Sequence, residues 1–234
     1  MARSAPAETR RRRERGSISV DEILSGAFEV AAEVSMDNLS MPLLAKHLGV
    51  GVTSIYWYFR KKDDLLNAMT DRALQTYDFT VESIDADNWR ESLHNHAKKM
   101  RQTFLDNPVL CDLILIRGTY GMQAAHNALK KIEQPVAALA QAGLSPENAF
   151  DTYAAIAVHV RGSVVLERLQ DKMTGVQAPA GNRGKLIDRQ AMPIIAEVAD
   201  KGHRIGVADD INFDYILDCI LDHAESLITR SRED

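Results

Sequence analysis

Apolar residues recur at helical spacing along most of this chain. Before the first such run, the segment Ser19-Val20-Asp21-Glu22 fits a capping box, in which a serine and a glutamate satisfy free N–H groups where a helix begins. The run itself predicts a first helix through its apolar positions Ile23, Leu24, Ala27, Phe28 and Ala31. Residues 1–17 lack this periodicity, and we interpret them as a disordered arm.

Three shorter helices are predicted to follow the first. Ser40 is a suitable N-cap for the second helix, which Gly49 ends. Proline is tolerated in a first turn, so Pro42 fits there. The third helix covers about residues 52–59. Asp63 and Asp64 begin the fourth, because carboxylates are favourable at the positive end of a helix.

The remainder of the chain predicts longer helices and no strand. One helical stripe runs from Trp89 to Phe104, and a short apolar segment begins at Pro108. Further helices are predicted over 122–142, 146–171 and 211–230, with a glycine-containing mobile loop at 173–190. The predicted fold class is therefore all-α. The predicted organisation is the arm at 1–17, a helix-turn-helix domain at 18–64 and a helical domain at 65–234.

Charge is distributed unevenly along the chain. The net charge is −5, but residues 1–62 carry +3 and residues 63–234 carry −8. Residues 1–15 alone hold six arginines and two glutamates. A basic first part attached to an acidic remainder indicates that only the first part meets a polyanion.

The composition also indicates where in the cell the protein is located. The chain contains no run of eighteen apolar residues, and no apolar signal core follows the arginines near the N-terminus. We therefore expect no membrane span and a cytoplasmic protein. Cys111 and Cys219 both fall in apolar helical patterns, and we expect two buried free thiols.

Residues 49–62, with the sequence GVGVTSIYWYFRKK, crowd four aromatic residues before three cations. On a helix, Ile55 and Phe59 share one face and can pack inward. The other faces of so short a helix cannot all be buried, so some rings are expected to point outward. An outward face of rings and hydroxyls beside cations suits the major groove of DNA. The alternative interpretation is that all four rings belong to a helical core.

The stretch LLAKHLGVGVTSIYWYFRKKDDLLNAM resembles the N-terminal domain of the TetR family of transcriptional repressors, a likeness that covers residues 18–69 once the first helix is included. The segments WRESLHNHAKKMRQTFL and QAGLSPENAFDTYAAIAVHVRGSVVLERLQDK, with the last apolar helix, more weakly resemble the tetracycline-repressor branch. This resemblance implies three N-terminal helices that bind double-stranded operator DNA. It implies an effector pocket and a dimer bundle in the longer helices.

The resemblance also implies which residues meet DNA. Ser40 would cap the second helix beside the DNA backbone, and Lys62 would contact a phosphate. Base or phosphate contacts are implied for Val52, Thr53, Ser54, Tyr56, Trp57 and Tyr58. Pro42 replaces a base-reading arginine of the tetracycline repressors, so the operator is expected to differ. The arginines of the arm, Arg10, Arg11, Arg12 and Arg13, are expected to enter a minor groove, or else to form a solvated tail.

Candidate effector-binding residues lie on the stripe of the fifth helix and its neighbours: Trp89, His96, Met100, Phe104, Ile114, Met122 and Tyr153. His96 is polar on an apolar face, either as a satisfied core histidine or as a hydrogen-bond anchor for a ligand. The resemblance argues against tetracycline, because Asp78 and Ile114 stand where that branch has the two histidines of the magnesium–drug site. We therefore expect a small apolar or aromatic effector, with no metal and no cofactor.

Helices 146–171 and 211–230 carry more apolar surface than one subunit can bury, which predicts a homodimer through both. The leading interpretation is thus a repressor that a small effector releases from a palindromic operator. One alternative is an all-helical enzyme that uses the pocket, although the sequence contains no P-loop, G-x-S-x-G or H-E-x-x-H motif and no paired cysteine motif. The other alternative is a DNA-binding protein without an effector.

Overall fold

The computed structural model describes residues 18–76, 84–118, 121–174, 186–203, 205 and 208–233. These residues form helices and contain no strand, which confirms the all-α prediction. Four helices make up the first part of the fold: α1 (Val20–Val34), α2 (Met41–Leu48), α3 (Val52–Tyr58) and α4 (Lys62–Thr76).

The first two helices begin where their caps were predicted. The Ser19 hydroxyl accepts the backbone N–H of Glu22 at 3.2 Å, and the Glu22 carboxylate accepts the backbone N–H of Ser19 at 2.9 Å. The Ser40 hydroxyl accepts the backbone N–H of Leu43 at 3.3 Å. Gly49 ends α2 with a φ of +67°, a conformation that glycine adopts without strain.

Helices α1 and α2 approach each other closely at Gly26. A Cβ atom added to Gly26 of α1 would lie 2.6 Å from a methyl carbon of Leu48 in α2. A side chain at this position would therefore require the Leu48 side chain, at the end of α2, to shift. Since α3 follows α2 through a turn of only three residues, the position of α3 depends on this contact.

The second part of the fold consists of longer helices. These are α5 (Trp89–Asp106), α6 (Pro108–Leu110), a π-helical segment (Cys111–Arg117), α7 (Met122–Gln141), α8 (Pro146–Thr174), α9 (Pro193–Asp200) and α10 (Asp210–Glu233). The helices predicted over 122–142, 146–171 and 211–230 agree closely with α7, α8 and α10. Helix α9 was not predicted, and helix α8 extends into the predicted loop, of which residues 175–185 lie outside the described ranges.

Three groups of buried side chains hold the helices together. The first fills the space among α1 to α4 and also includes Leu113 of the π-helical segment. The second joins α5, α7, α8 and α10 around residues such as Leu139 and Phe213. A smaller third group, which includes Phe104 and Val164, connects α4, α5 and α8 to the π-helical segment. The π-helical segment therefore contacts both parts of the fold.

The length and composition of the helices can be compared with what a membrane span requires. Among the described residues, no helix combines the length and the apolar composition that crossing a bilayer requires.

Candidate nucleic-acid interface and ligand cavity

Helix α3 has one buried face and one exposed face. Ile55 is completely buried and Phe59 nearly so, and both belong to the N-terminal core. On the opposite face, 78% of Trp57 and 44% of Tyr56 are exposed, and Thr53 is exposed beside them. The prediction that Ile55 and Phe59 pack inward while other rings point outward is confirmed. The alternative of a fully buried aromatic cluster is wrong.

Tyr58 lies between these two faces. Its hydroxyl donates a hydrogen bond of 2.7 Å to the carbonyl of Ile18, just before α1. Its ring meets the Trp57 ring edge to face, with centroids 4.7 Å apart. Val52 and Tyr58 also pack partly against the N-terminal core, and Ser54 is half-buried. Val52 and Tyr58 therefore help to hold α3 in place. The predicted DNA contacts of Val52, Ser54 and Tyr58 stay predictions.

Cations surround the exposed face of α3. Lys62 is half-buried, and its ammonium group donates to the carbonyls of Met36 and Asp37 at 3.3 and 3.5 Å, in the turn between α1 and α2. Arg60 and Lys61 are exposed just after α3. We had not assigned these two residues to the interface, although the run Arg-Lys-Lys in the sequence was the signal. The arginines Arg10, Arg11, Arg12 and Arg13 lie outside the described residues.

A cavity of about 420 Å³ lies among α4, α5, the π-helical segment, α7 and α8. Five of the seven predicted effector residues line it: His96, Met100, Phe104, Ile114 and Tyr153. Trp89 and Met122 do not line it, which corrects two of the predicted positions. Each is the first residue of its helix, α5 or α7, so it lies beyond the end of the cavity. Trp89 instead packs against the second core group, and Met122 is 91% exposed.

Most of the remaining lining comes from α7, which sequence reasoning missed. Lys131 and Pro135 lie one turn apart on its inward face, and Arg161 of α8 also reaches the cavity. The complete additional lining is Leu74, Gln75, Leu115, Asn127, Ala128, Lys130, Lys131, Ile132, Gln134, Pro135 and Arg161. The α7 residues take up seven of the nine positions from 127 to 135, which is a broad arc of the helix and not a single narrow stripe.

His96 and Tyr153 form a polar pair in this apolar lining. His96 Nε2 lies 3.3 Å from the Tyr153 hydroxyl, and both side chains are buried. Burial lowers the pKa of His96, so the imidazole is neutral near pH 7. Its Nδ1 atom is buried and finds no hydrogen-bond partner among the described residues. Burial also raises the pKa of the Tyr153 hydroxyl, which the positive charge of Arg161 partly offsets.

Helices α8 and α10 expose large apolar side chains. Those on α8 are Phe150, Val158, Leu166 and Leu169, and those on α10 are Ile211, Tyr215 and Ile216.

A groove between the two helices contains Cys219. The prediction of two buried thiols is therefore wrong for Cys219, which lies on the outer face of α10, opposite the buried Leu217, Leu221 and Ala224. Cys111 is buried, and its burial raises the pKa of the thiol to about 11.

Within the ranges that the structure covers, no three side chains of histidine, cysteine, aspartate or glutamate are grouped so that they could hold a metal ion. Asp78, one of the two positions compared with the histidines of the tetracycline repressors, lies outside the described residues.

The chain matches two protein families along most of its length. Residues 23–69 match the family described as bacterial regulatory proteins, tetR family, and residues 83–225 match the family described as tetracyclin repressor-like, C-terminal domain. A curated relative, the HTH-type transcriptional repressor Rv1353c of Mycobacterium tuberculosis, is 58% identical over 224 residues, which cover 95% of this chain and 86% of the relative.

Solved structures share the fold at lower sequence identity. TetR from Acinetobacter baumannii AYE superposes with a TM-score of 0.62 at 23% identity, covering 90% of this chain and 98% of its own. ActR from Streptomyces coelicolor, in complex with actinorhodin, superposes with a TM-score of 0.64 at 20% identity, covering 89% of this chain and 97% of its own.

Proposed function

This chain belongs to the tetR family of bacterial regulatory proteins, and on that premise we propose that it represses transcription as a homodimer that a small ligand releases from a palindromic operator. The family and the named repressor among its relatives make the chain a DNA-binding transcriptional regulator rather than an enzyme. Its target is chromosomal DNA, so the proposal includes a cytoplasmic location. The division into domains at 18–64 and 65–234 is part of this proposal.

The observation that carries the proposed DNA contact is the exposure of Trp57 and Tyr56 above a buried Ile55. The two rings are adjacent and lie beside exposed cations, and a contiguous exposed apolar patch rimmed by polar residues marks an interaction site. Thr53 beside them is small enough to let the helix approach base edges, and its methyl group can contact thymine. We therefore propose that α3 lies in the major groove and that Thr53 and Tyr56 read bases.

The residues around α3 are proposed to hold the DNA backbone. The Ser40 cap supports the N-terminus of α2, which can face a phosphate. Lys62 is anchored on two carbonyls, and a lysine ammonium has a third donor hydrogen that a phosphate can accept. Arg60 and Lys61 add exposed positive charge beside α3. Val52, Ser54 and Tyr58 are proposed to contact DNA at the edges of the helix, and Arg10, Arg11, Arg12 and Arg13 to reach a minor groove.

The exposed apolar faces of α8 and α10 support a dimer. Helices that pair across a two-fold axis form a four-helix interface, in which the same surface of each subunit meets its copy. Such an interface would cover Val158 and Tyr215 and would also enclose Cys219. It would present two copies of α3 to DNA half-sites separated by about one helical turn or more, which explains why the operator is expected to be palindromic.

The cavity supports a small-molecule effector. An alternative without an effector predicts a solid core, whereas a cavity of about 420 Å³ with apolar walls is of the size that small ligands occupy. Its walls include Leu74 of α4 and Ile114 of the π-helical segment, and both elements also pack on the DNA-reading part of the fold. A ligand that favours one arrangement of these walls would change the spacing between the two copies of α3.

A test of the proposed function separates contacts to the backbone from contacts to bases. Fluorescence anisotropy would measure the affinity for a palindromic duplex taken from the DNA beside the gene, and for a random duplex, at one salt concentration. Lys62→Ala should weaken binding to both duplexes by similar factors. Thr53→Ala should reduce the preference for the palindrome, because it removes a base contact.

Two results would contradict the proposed function. One is equal affinity of the unaltered protein for the palindromic and random duplexes. The other is a Thr53→Ala variant with unchanged preference together with a Lys62→Ala variant that loses affinity for only one duplex. The unfolding midpoint of each variant serves as the control, since the Lys62 side chain also contacts the turn between α1 and α2.

A further inference from the structure

The lining of the cavity has a charge opposite to that of the surrounding domain. Three cations contribute to it, Lys130, Lys131 and Arg161, and no aspartate or glutamate does among the described residues. Residues 63–234 as a whole hold 26 Asp and Glu against 18 Lys and Arg. A positive cavity within an acidic domain attracts anions and disfavours cationic ligands.

Two of these cations lack a compensating carboxylate. Elsewhere in the domain the cations near the core are paired, as Arg101 is with Glu167 and Asp210, each at 2.6 Å. Within the part of the chain that the structure describes, neither Arg161 nor Lys130 forms an ion pair. Both residues are exposed to solvent as well as lining the cavity, so their charges are available to a ligand that enters it.

The buried pair His96 and Tyr153 can form hydrogen bonds with a ligand but carries no charge. Because burial keeps His96 neutral, the imidazole cannot balance an anion by itself. In the tautomer in which Tyr153 donates its hydroxyl hydrogen to Nε2, the unpartnered Nδ1 carries an N–H group. A ligand oxygen could accept this bond. Recognition of a full negative charge falls to the cations instead.

Tyr153 of the uncharged pair and the cation Arg161 lie at different points along α8. Arg161 follows Tyr153 by eight residues, which corresponds to just over two turns and about 12 Å along the helix axis. Both residues therefore face the same side of α8. Met100, Phe104 and Ile114 provide apolar surface in the same cavity. A ligand that uses all of these groups has an apolar body and an acidic group near the position of Arg161.

We propose that the effector of this cavity is an organic anion, with an aromatic body and a carboxylate or sulfonate group that Arg161 and Lys130 bind. This inference rests on the proposed effector function and adds the chemical class of the ligand. The planar guanidinium group of Arg161 can donate two parallel hydrogen bonds to such an oxyanion, so Arg161 is the main specificity-determining residue.

Two dyes with nearly identical ring systems test the charge requirement. 8-Anilinonaphthalene-1-sulfonate carries a sulfonate, and N-phenyl-1-naphthylamine has the same rings without it. Fluorescence titration gives the dissociation constant of each dye. We expect the anionic dye to bind at least about tenfold more tightly, which is the gain of one charge-assisted hydrogen bond.

Three variants make the experiment specific. Arg161→Gln combined with Lys130→Gln should reduce the preference for the anionic dye to less than about threefold. Lys99→Gln is the control, because it removes one charge from an exposed position of α5 that does not line the cavity. Ala128→Trp should weaken both dyes by filling the cavity. The far-ultraviolet circular dichroism spectrum checks that each variant is folded.

The outcomes distinguish this inference from the function on which it rests. Binding of both dyes with equal affinity, or a preference that survives the Arg161 and Lys130 substitutions, would overturn the anion requirement while the cavity still binds ligands. Failure of both dyes to bind, or binding that Ala128→Trp leaves unchanged, would contradict the cavity as an effector site. A preference lost in the double variant and kept in Lys99→Gln supports the inference.

Discussion

The ammonium group of Lys172 lies 3.0 Å from a carboxylate oxygen of Asp37. This ion pair joins the last turns of α8 to the turn between α1 and α2, on which Lys62 is also anchored. The ammonium group of Lys172 also lies 3.1 Å from a carboxylate oxygen of Asp112, a buried residue of the π-helical segment. Arg168 forms a further ion pair with Asp112. Partial burial alone would lower the pKa of Lys172, but the hydrogen bonds to Asp37 and Asp112 raise it. A chain of charges thus connects α8 and the π-helical segment to the turn between α1 and α2.

Breaking this ion pair should weaken DNA binding without touching α3. We expect Lys172→Gln to raise the dissociation constant for the operator about two- to fivefold, because a partly exposed ion pair contributes about 0.5–1 kcal/mol. Fluorescence anisotropy at low and high salt would measure this dissociation constant. Arg189→Gln is the control, since Arg189 forms an exposed ion pair of 2.8 Å with Asp200 that is remote in sequence from the DNA-reading helices. Equal affinities of the two variants would contradict a connection through Asp37.

The two faces of α3 should respond differently to substitution. Trp57→Ala removes an exposed ring, so the free energy of unfolding should change by less than about 0.5 kcal/mol, while operator affinity falls at least about tenfold. Ile55→Ala removes a fully buried side chain and should cost about 2–5 kcal/mol of stability. Urea unfolding and anisotropy on both variants measure the difference. A Trp57→Ala variant that binds the operator normally would exclude this face from the interface.

The exposed apolar side chains of α8 should be required for dimerisation. Val158→Glu places a charge on a residue that is 69% exposed in the single chain, and we expect it to produce monomers in sedimentation velocity experiments. Leu129→Glu is the matched control, because Leu129 is 67% exposed on α7, outside the proposed interface. Dimers in both variants, or dissociation of the Leu129 variant alone, would contradict the proposed interface.

Stability should fall at mildly acidic pH because of His96. Burial lowers the pKa of this imidazole below its ordinary value of 6.5, so the unfolded chain binds a proton that the folded chain excludes. The contribution of His96 is therefore complete above that pH and is lost as the pH falls through the lowered pKa. Urea unfolding between about pH 7.5 and pH 5 measures this dependence. His96→Phe should reduce the dependence of the unfolding free energy on pH, and the matched His94→Phe should not. Equal slopes of the unfolding free energy against pH in both variants would refute the assignment to His96.

The sequence was most informative where a local rule acts. The caps at Ser19 and Ser40 and the stop at Gly49 depend on backbone groups within a few residues, so residue type alone predicted them. The inward position of Ile55 and the outward position of Trp57 follow from helical spacing plus the limit on what a short helix can bury.

Features that depend on contacts between residues far apart in the sequence could not be predicted from the sequence. The π-helical segment differs from an α-helix by a shift of one residue in hydrogen bonding, which the hydrophobic pattern does not encode. Helix α9 has only eight residues and buries only Ala196, so its sequence is too short to establish a helical period. Trp89 shares the helical stripe of His96, yet it precedes His96 by seven residues, or about 10 Å, and the cavity does not extend that far. A stripe defines a face of a helix but not the part of that face where a neighbouring helix leaves space.

Hydroxyl-radical footprinting of the DNA beside the gene tests the central claim most directly, because it shows how many copies of α3 contact the duplex and where. We expect two protected patches related by two-fold symmetry, with centres separated by about one helical turn or more, and we expect Trp57→Ala to abolish both. A single protected patch, or a footprint that Trp57→Ala leaves unchanged, would contradict a dimer that reads DNA through the exposed face of α3.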